Sequence, residues 1–130
     1  MEKTIKFLND AKVFFVATIN DNTPEVRPFG AINVYNNKLY IMTGAKKDVA
    51  KQIDANNNVA ISAILNGNWI RIKTKLVKDE SIEAKKSMLD NNPSLRGMYN
   101  ENDDNTQVLY FEDGEATFSS FTQAPRSFKL

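Results

Sequence analysis

The stretch Val59-Ala60-Ile61-Ser62-Ala63-Ile64-Leu65-Asn66-Gly67-Asn68-Trp69-Ile70-Arg71-Ile72-Lys73 decides the fold. Both arms are rich in β-branched and apolar residues, and Asn66-Gly67 between them is the dipeptide that most readily takes positive φ at both centres of a two-residue turn. The spacing predicts a hairpin, Val59–Leu65 against Trp69–Val77. Side chains alternate across a strand, so Trp69, Arg71 and Lys73 share one face of the second arm while Ile70 and Ile72 occupy the other.

The same logic extends outward. Val13–Ile19 reads as a buried strand ended by Asn20-Asp21-Asn22, followed by a second strand from Glu25 to Tyr35. Asn36-Asn37 supplies a turn into Leu39–Thr43, which gives a three-strand meander. Gly44 breaks that strand, and Val49, Ala50 and Ile53 recur at helical spacing within Lys47–Ala55. Ile5, Leu8 and Ala11 predict an N-terminal helix over Glu2–Asp10, with Thr4 as its cap. Downstream, Asp79 is expected to cap a helix through Leu89, and Asn92-Pro93 opens another helical turn. After the acidic loop Asn100–Asn105, Val108–Glu112 and Glu115–Phe121 flank Asp113-Gly114 as a second hairpin. The sum is seven strands and two or three short helices, a mainly β, antiparallel barrel or sandwich.

Composition sets bounds on function. The 130 residues, 42% hydrophobic and 25% charged, suit one globular domain spanning residues 1–130. A net charge of +1 gives no electrostatic reason for a nucleic-acid or anionic-membrane partner. No apolar run approaches the ~18 residues of a membrane span, and the N-terminus lacks signal-peptide character, so a cytoplasmic location is expected. Cysteine and histidine are both absent, which excludes disulfides, thiolate or imidazole metal ligands and nucleophile–histidine pairs. Redox or transfer chemistry would need a cofactor. A core this small also favours association with a second copy.

Three segments carry candidate binding groups. Thr43-Gly44-Ala45-Lys46-Lys47 brings a hydroxyl, a close backbone approach and two ammonium groups to a helix N-terminus, the parts a phosphate monoester needs. The same residues also suit a plain helix start followed by solvated lysines. Arg27-Pro28-Phe29 places a proline inside a strand, which assigns that strand to an edge and leaves backbone groups for a ligand or for protection against edge pairing. Trp69 and Arg71 form a polar, aromatic strand face that suits solvent or a partner. Glu112, Asp113 and Glu115 read as solvated charges. Glu101-Asn102-Asp103-Asp104 lacks the Gly and terminal Glu of a calcium loop, so no metal is expected.

Taken in order, Pro24-x-x-Arg27-Pro28-Phe29, Leu39-Tyr40-Ile41-Met42-Thr43-Gly44-Ala45-Lys46-Lys47-Asp48-Val49, Gln52-Ile53 and Gly67-x-Trp69-Ile70-Arg71-Ile72 resemble the pyridoxamine 5′-phosphate oxidase-like, FMN-binding split barrels. Asp113-Gly114-Glu115-Ala116-Thr117 is similar to small bacterial members of the nitroimidazole-resistance-like kind. The resemblance implies an antiparallel split β-barrel of six to seven strands, a homodimer, and one FMN in each of two interfacial clefts. It implies that Arg27, Pro28, Phe29 and Gly30 run along the flavin and ribityl chain, and that Met42, Thr43, Lys46 and Lys47 hold the phosphate end. Trp69 and Arg71 would complete the partner's cleft. The implied function is an FMN-dependent oxidoreductase working between a small-molecule electron donor and acceptor. The alternatives are a non-catalytic flavin store or sensor, and a nitro-group reductase.

Departures from the pattern are specific. The chain ends Arg126-Ser127-Phe128-Lys129-Leu130 and has no His, whereas the pyridoxamine-phosphate oxidases carry an Arg-x-His-like clamp there and the nitroimidazole-resistance relatives use an active-site His. Thr74 stands where many relatives have Gly. Val49 stands where many have a phosphate-binding cation, which leaves that role to Lys46 and Lys47. No catalytic acid or base is assigned.

Overall fold

In the computed structural model, which describes residues 1–130, the chain opens with α1 (Glu2–Ala11), β1 (Phe14–Asn20), β2 (Thr23–Phe29), β3 (Ile32–Tyr35) and β4 (Lys38–Gly44). It continues through α2 (Asp48–Ala55), β5 (Asn58–Leu65), β6 (Asn68–Asp79) and α3 (Ile82–Asn91), then a 3-10 turn at Pro93–Gly97, β7 (Thr106–Ser119) and β8 (Arg126–Lys129). The strands form one antiparallel sheet in the order β2-β1-β5-β6-β7-β4-β3, and β8 pairs with the second half of β7. The edge strands β2 and β3 are consecutive in the chain and separated only by Gly30 and Ala31. Three Cα steps reach roughly 11 Å at most, so the sheet must curl until its edges meet at that corner. No backbone ladder joins β2 to β3, so the closure is incomplete. This is a split β-barrel.

Alternation builds its core. Phe14 and Val16 of β1, Ile61 and Ala63 of β5, Ile70 and Ile72 of β6 and Leu109 of β7 point inward, joined by Leu8 of α1 and by Val49 and Ile53 of α2. A second, smaller cluster lies on the other side of β4, where Tyr40, Met42 and Val108 meet Ala84, Met88 and Leu89 of α3. Covered on both faces, β4 is buried from Leu39 to Gly44. No helix is long and apolar enough to cross a membrane.

The turn chemistry holds at Asn36-Asn37 (φ 51° and 58°) and Asn66-Gly67 (φ 51° and 80°), which join β3 to β4 and β5 to β6. The expected three-strand meander does not form. Glu25–Tyr35 breaks at Gly30–Ala31 into β2 and β3, and these lie at opposite edges of the sheet. Val13–Ile19 is half-buried rather than buried, because Phe15 faces outward.

Asp113-Gly114 is no hairpin either. β6 continues for 12 residues and pairs with β7 on both sides of the dipeptide, Lys73 with Glu115 and Lys75 with Glu112, so the extra residue opposite Thr74 is absorbed as a bulge. Asp113 takes φ 54° there and Thr74 Oγ1 donates to the Glu112 carbonyl at 2.9 Å.

The caps shift as well: Thr4 is buried inside α1. Ser81, not Asp79, caps α3 by accepting the Ala84 N–H at 3.2 Å. Asp79 instead accepts the Tyr40 hydroxyl at 2.6 Å. Splitting one strand, fusing two and adding β8 gives eight strands instead of six or seven, with three α-helices.

Candidate functional site

β4 ends against a loop that shapes the entrance to α2. At Gly44 a Cβ would lie 3.3 Å from the Asn105 side chain and from the Tyr99 hydroxyl, so the backbone comes close there. The Asn105 carbonyl accepts the Ala45 N–H at 2.7 Å, and its side-chain Oδ1 accepts the Lys46 N–H at 3.2 Å. Pinned in this way, the turn delivers Lys47 in extended conformation as the residue before α2, with no side chain capping the helix. The first N–H groups of α2 are therefore free to bind an anion, although Asp48 in the first turn offsets part of the lysine charge.

Asn105 is itself held by Asp103. Burial pushes the Asp103 carboxyl up, but the N–H groups of Thr106, Asn100 and Asn105 outweigh it and bring it down to about 2. A depressed carboxylate stabilises the fold above its unfolded pKa of 3.8 and loses that contribution as pH falls towards about 2. The protection factors of the Asn100, Asn105 and Thr106 amides, taken relative to intrinsic exchange at each pH, are expected to fall within this window; unchanged protection factors down to pH 2 would refute the assignment.

Arg27 lies on the edge strand β2, as its proline neighbour requires. Its guanidinium donates to Thr18 Oγ1 at 2.7 Å, the Val16 carbonyl at 3.2 Å and Gln52 Oε1 at 2.9 Å. Thr18 in turn donates to Gln52 Oε1 at 2.6 Å, and Gln52 Nε2 to Glu25 at 3.0 Å. Hydrogen bonds from Asn20 and Gln52 hold the Glu25 carboxyl below its usual range. This network ties α2 to β1 and β2, which fixes the α2 N-terminus beside the Gly30 corner.

A cavity of about 370 Å³ opens at that junction. One wall is Arg27 to Ala31, the floor is Met42 and Thr43, and Lys47 and Val49 bring in the α2 entrance. Residues of the segment Asn92–Tyr99, including Leu95 and Met98, form the opposite wall. Lys47 makes no ion pair. Gln107, paired with Thr43 across β4 and β7, carries a buried Nε2 with no partner. The volume is at the low end for a small-molecule site.

Of the residues singled out from sequence, Arg27, Pro28, Phe29, Gly30, Met42, Thr43 and Lys47 line this one cavity. Lys46 does not. Trp69 lies in a different cleft, its ring 5.1 Å from that of Phe121. Arg71 lies on the outer face of the sheet, opposite Ser62 of β5. That face carries a strip of exposed apolar side chains, Val26 (64%), Phe15 (46%) and Ile64 (69%), bordered by Arg71 and Lys73. Sequence reasoning missed Gln52, Thr18, Asn105 and the Asn92–Tyr99 wall. Gln52 had a signal: it falls on the helical face of Val49 and Ile53, where a polar residue needs a buried partner.

The sequence matches the pyridoxamine 5′-phosphate oxidase family over residues 1–112. The chain belongs to that family. Among solved structures, this oxidase-family chain superposes with a TM-score of 0.97 on a NimC/NimA family protein from Clostridium acetobutylicum, at 38% identity, covering 100% of this chain and 92% of that one. General stress protein 26 from Bacillus anthracis shares the fold at a TM-score of 0.78 and 16% identity, covering 99% of this chain and 97% of the other. A pyridoxamine 5′-phosphate oxidase-related, FMN-binding protein from Nostoc punctiforme does so at 0.63 and 15%, covering 96% and 90%. No curated protein matches the chain.

Proposed function

We propose that this family member binds FMN at the Gly30 corner and acts as an oxidoreductase, with a second copy of the chain completing each cleft. The observation that supports it is the convergence in one cavity of Arg27, Pro28, Phe29, Gly30, Met42, Thr43 and Lys47. The chemistry of the donors suits the group. Lys47 and the uncapped start of α2 provide cationic and N–H donors for a phosphate. Thr43 adds a hydroxyl, the unpartnered Gln107 amide lies beside it across the strand pair, and Met42, Leu95 and Met98 offer apolar surface for a ring. Arg27 is engaged with Thr18 and Gln52, so its role is to hold the cavity's shape as much as to meet a ligand.

Bound FMN supplies reversible uptake and release of electrons, and the chain supplies anchorage, orientation and access. The cavity is at the low end of small-molecule sites and open on one side, and the exposed Val26–Phe15–Ile64 strip with Arg71 is a surface for the second copy to cover. Arg71 and Trp69 of that copy are assigned to the partner's cleft. Nitro-group reduction is the second reading, favoured by the 38% identity to a NimC/NimA family protein. The absent His separates this chain from a mechanism that needs one.

FMN added to flavin-free protein is expected to bind one per chain and to raise the melting temperature by linkage. Absence of binding in a calorimeter at high flavin concentration would sink the reading. Reduction of the bound flavin by a nicotinamide donor, followed by stopped-flow reoxidation with dioxygen or a nitroimidazole, then sorts oxidase from nitro-reductase. A flavin that binds and never turns over identifies a storage or sensor module.

A further inference from the structure

The chain has four methionines and no cysteine, so thioethers are its only sulfur groups open to two-electron oxidation. Their surroundings differ. Met88 of α3 is fully buried, with Asn92 Nδ2 donating to its sulfur at 3.4 Å. Met42 of β4 is buried in the floor of the Gly30 cavity. Met1 is 38% exposed at the start of α1 and does not line that cavity. Met98 is 75% exposed and lines the cavity from the wall facing Lys47. Its exposure has a local cause. Met98 follows the 3-10 turn Pro93–Gly97, none of whose residues is buried, and its N–H donates to the Leu95 carbonyl at 3.0 Å. Leu95 and Tyr99 on either side pack against the cluster beneath α3, and Met98 is left out of it.

We propose that Met98 is a site of reversible sulfoxidation by hydrogen peroxide, and that the sulfoxide weakens the cavity's hold on an apolar ring. A sulfur lone pair attacks one peroxide oxygen and the O–O bond breaks. The new sulfur–oxygen bond costs sulfur two electrons, and the hydroxyl proton passes to the departing hydroxide, which leaves as water. A flexible apolar group thereby becomes a polar one, on the side of the cavity that Leu95 and Met42 otherwise keep apolar. The effect on a ligand rests on the flavin reading; the oxidation itself does not. On that reading the reagent also arises in place, because dioxygen that reoxidises a flavin by two electrons leaves as hydrogen peroxide. The product then acts back on the wall of the site that made it.

The full chain is titrated with hydrogen peroxide, and peptide masses give the oxidation rate at each methionine. Met98 is expected to react at least about tenfold faster than Met42 and Met88, because peroxide must reach the sulfur. Protein oxidised at Met98 is expected to bind FMN and riboflavin about three- to tenfold more weakly, the scale of one to two methylene groups of apolar contact. The factor is the same for both ligands, since the phosphate is assigned to the α2 side. Methionine sulfoxide reductases of both stereospecificities are expected to restore the affinity. Met98→Leu is expected to lose no further affinity on peroxide treatment, whatever its starting value, and because it retains Met1 it removes any contribution from oxidation there. Oxidation of Met42 or Met88 as fast as Met98 overturns the proposal. So does a Met98 sulfoxide that leaves both affinities unchanged, or a loss that persists in treated Met98→Leu. If FMN fails to bind the untreated chain, the flavin reading falls, and the peptide masses still decide whether Met98 is the oxidised site.

Discussion

Lys47→Ala is expected to weaken FMN binding about 10- to 100-fold, the range for loss of a hydrogen bond between charged groups, and to leave riboflavin almost unaffected. The two ligands differ by the phosphate alone, which makes their ratio a direct report on what the ammonium group touches. Lys47 lines the cavity at the uncapped start of α2, is exposed, and forms no ion pair whose loss would disturb the fold. Lys46→Ala is the internal control. Its backbone N–H is held by Asn105, but the residue does not line the cavity, so its substitution is expected to cost only a few-fold, through screened long-range charge. Titrations of flavin fluorescence with both ligands give all four numbers. Equal weakening of FMN and riboflavin by Lys47→Ala would mean that the residue acts through the fold and would remove the phosphate assignment.

Turn chemistry was the most legible part of the fold, because its cause is local. Asn36-Asn37 and Asn66-Gly67 adopt positive φ and reverse the chain as their residue types require. Asp113-Gly114 shows the limit of that reasoning. Asp113 does take positive φ, yet the chain does not reverse, because β6 runs on beside it and offers a partner to both halves. Whether a left-handed residue makes a hairpin or a bulge is decided by a strand some forty positions away. The break at Gly30 was hidden for a similar reason. Glu25 to Tyr35 reads as one strand from composition, and the corner exists because the curled sheet brings its two edges together there. The burial of both faces of β4 likewise depends on α3, whose docking site has no local signature.

The site was legible where residue type and chemistry are linked directly. Thr43 and Lys47 were singled out because a hydroxyl and an ammonium group at a helix start suit an anion, and both line one cavity; Gly44, the close backbone approach of the same motif, does not line it, and Gly30 entered only through the family resemblance. Arg27 was found for its charge, but its neighbours Thr18 and Gln52 were not, although both are polar residues at inward positions, 2% and 8% exposed. Burial of that kind needs an internal partner, and Arg27 is that partner. The Asn92–Tyr99 wall had no such signal. It reaches the cavity because Asn92 donates to the Ile32 carbonyl at 3.1 Å and so ties the end of α3 to the start of β3.

Val26→Lys is expected to convert the proposed dimer into a monomer and, with it, to lower FMN affinity by more than about 100-fold, because one copy alone would lack the groups assigned to close the cleft and an unpaired charge cannot be buried cheaply. Val26 is the most exposed apolar residue of β2, at 64%, so a lysine there leaves the folded monomer intact. In an association across this face, however, it would sit in the apolar strip with Arg71 and Lys73 of the same sheet at the border. Sedimentation gives the oligomeric state and flavin titration the affinity on the same samples. Subunit mixing then tests whether the cleft is shared. Arg71→Ala and Lys47→Ala each impair both clefts of their own dimer, but a mixed dimer holds one cleft with both lesions and one with neither. Near-normal FMN binding is therefore expected at half the sites of the mixed dimers, about a quarter of all sites after random mixing, and it would not return if both residues served the cleft of their own chain. A wild-type protein that sediments as a monomer while holding FMN at full affinity would exclude the shared cleft altogether.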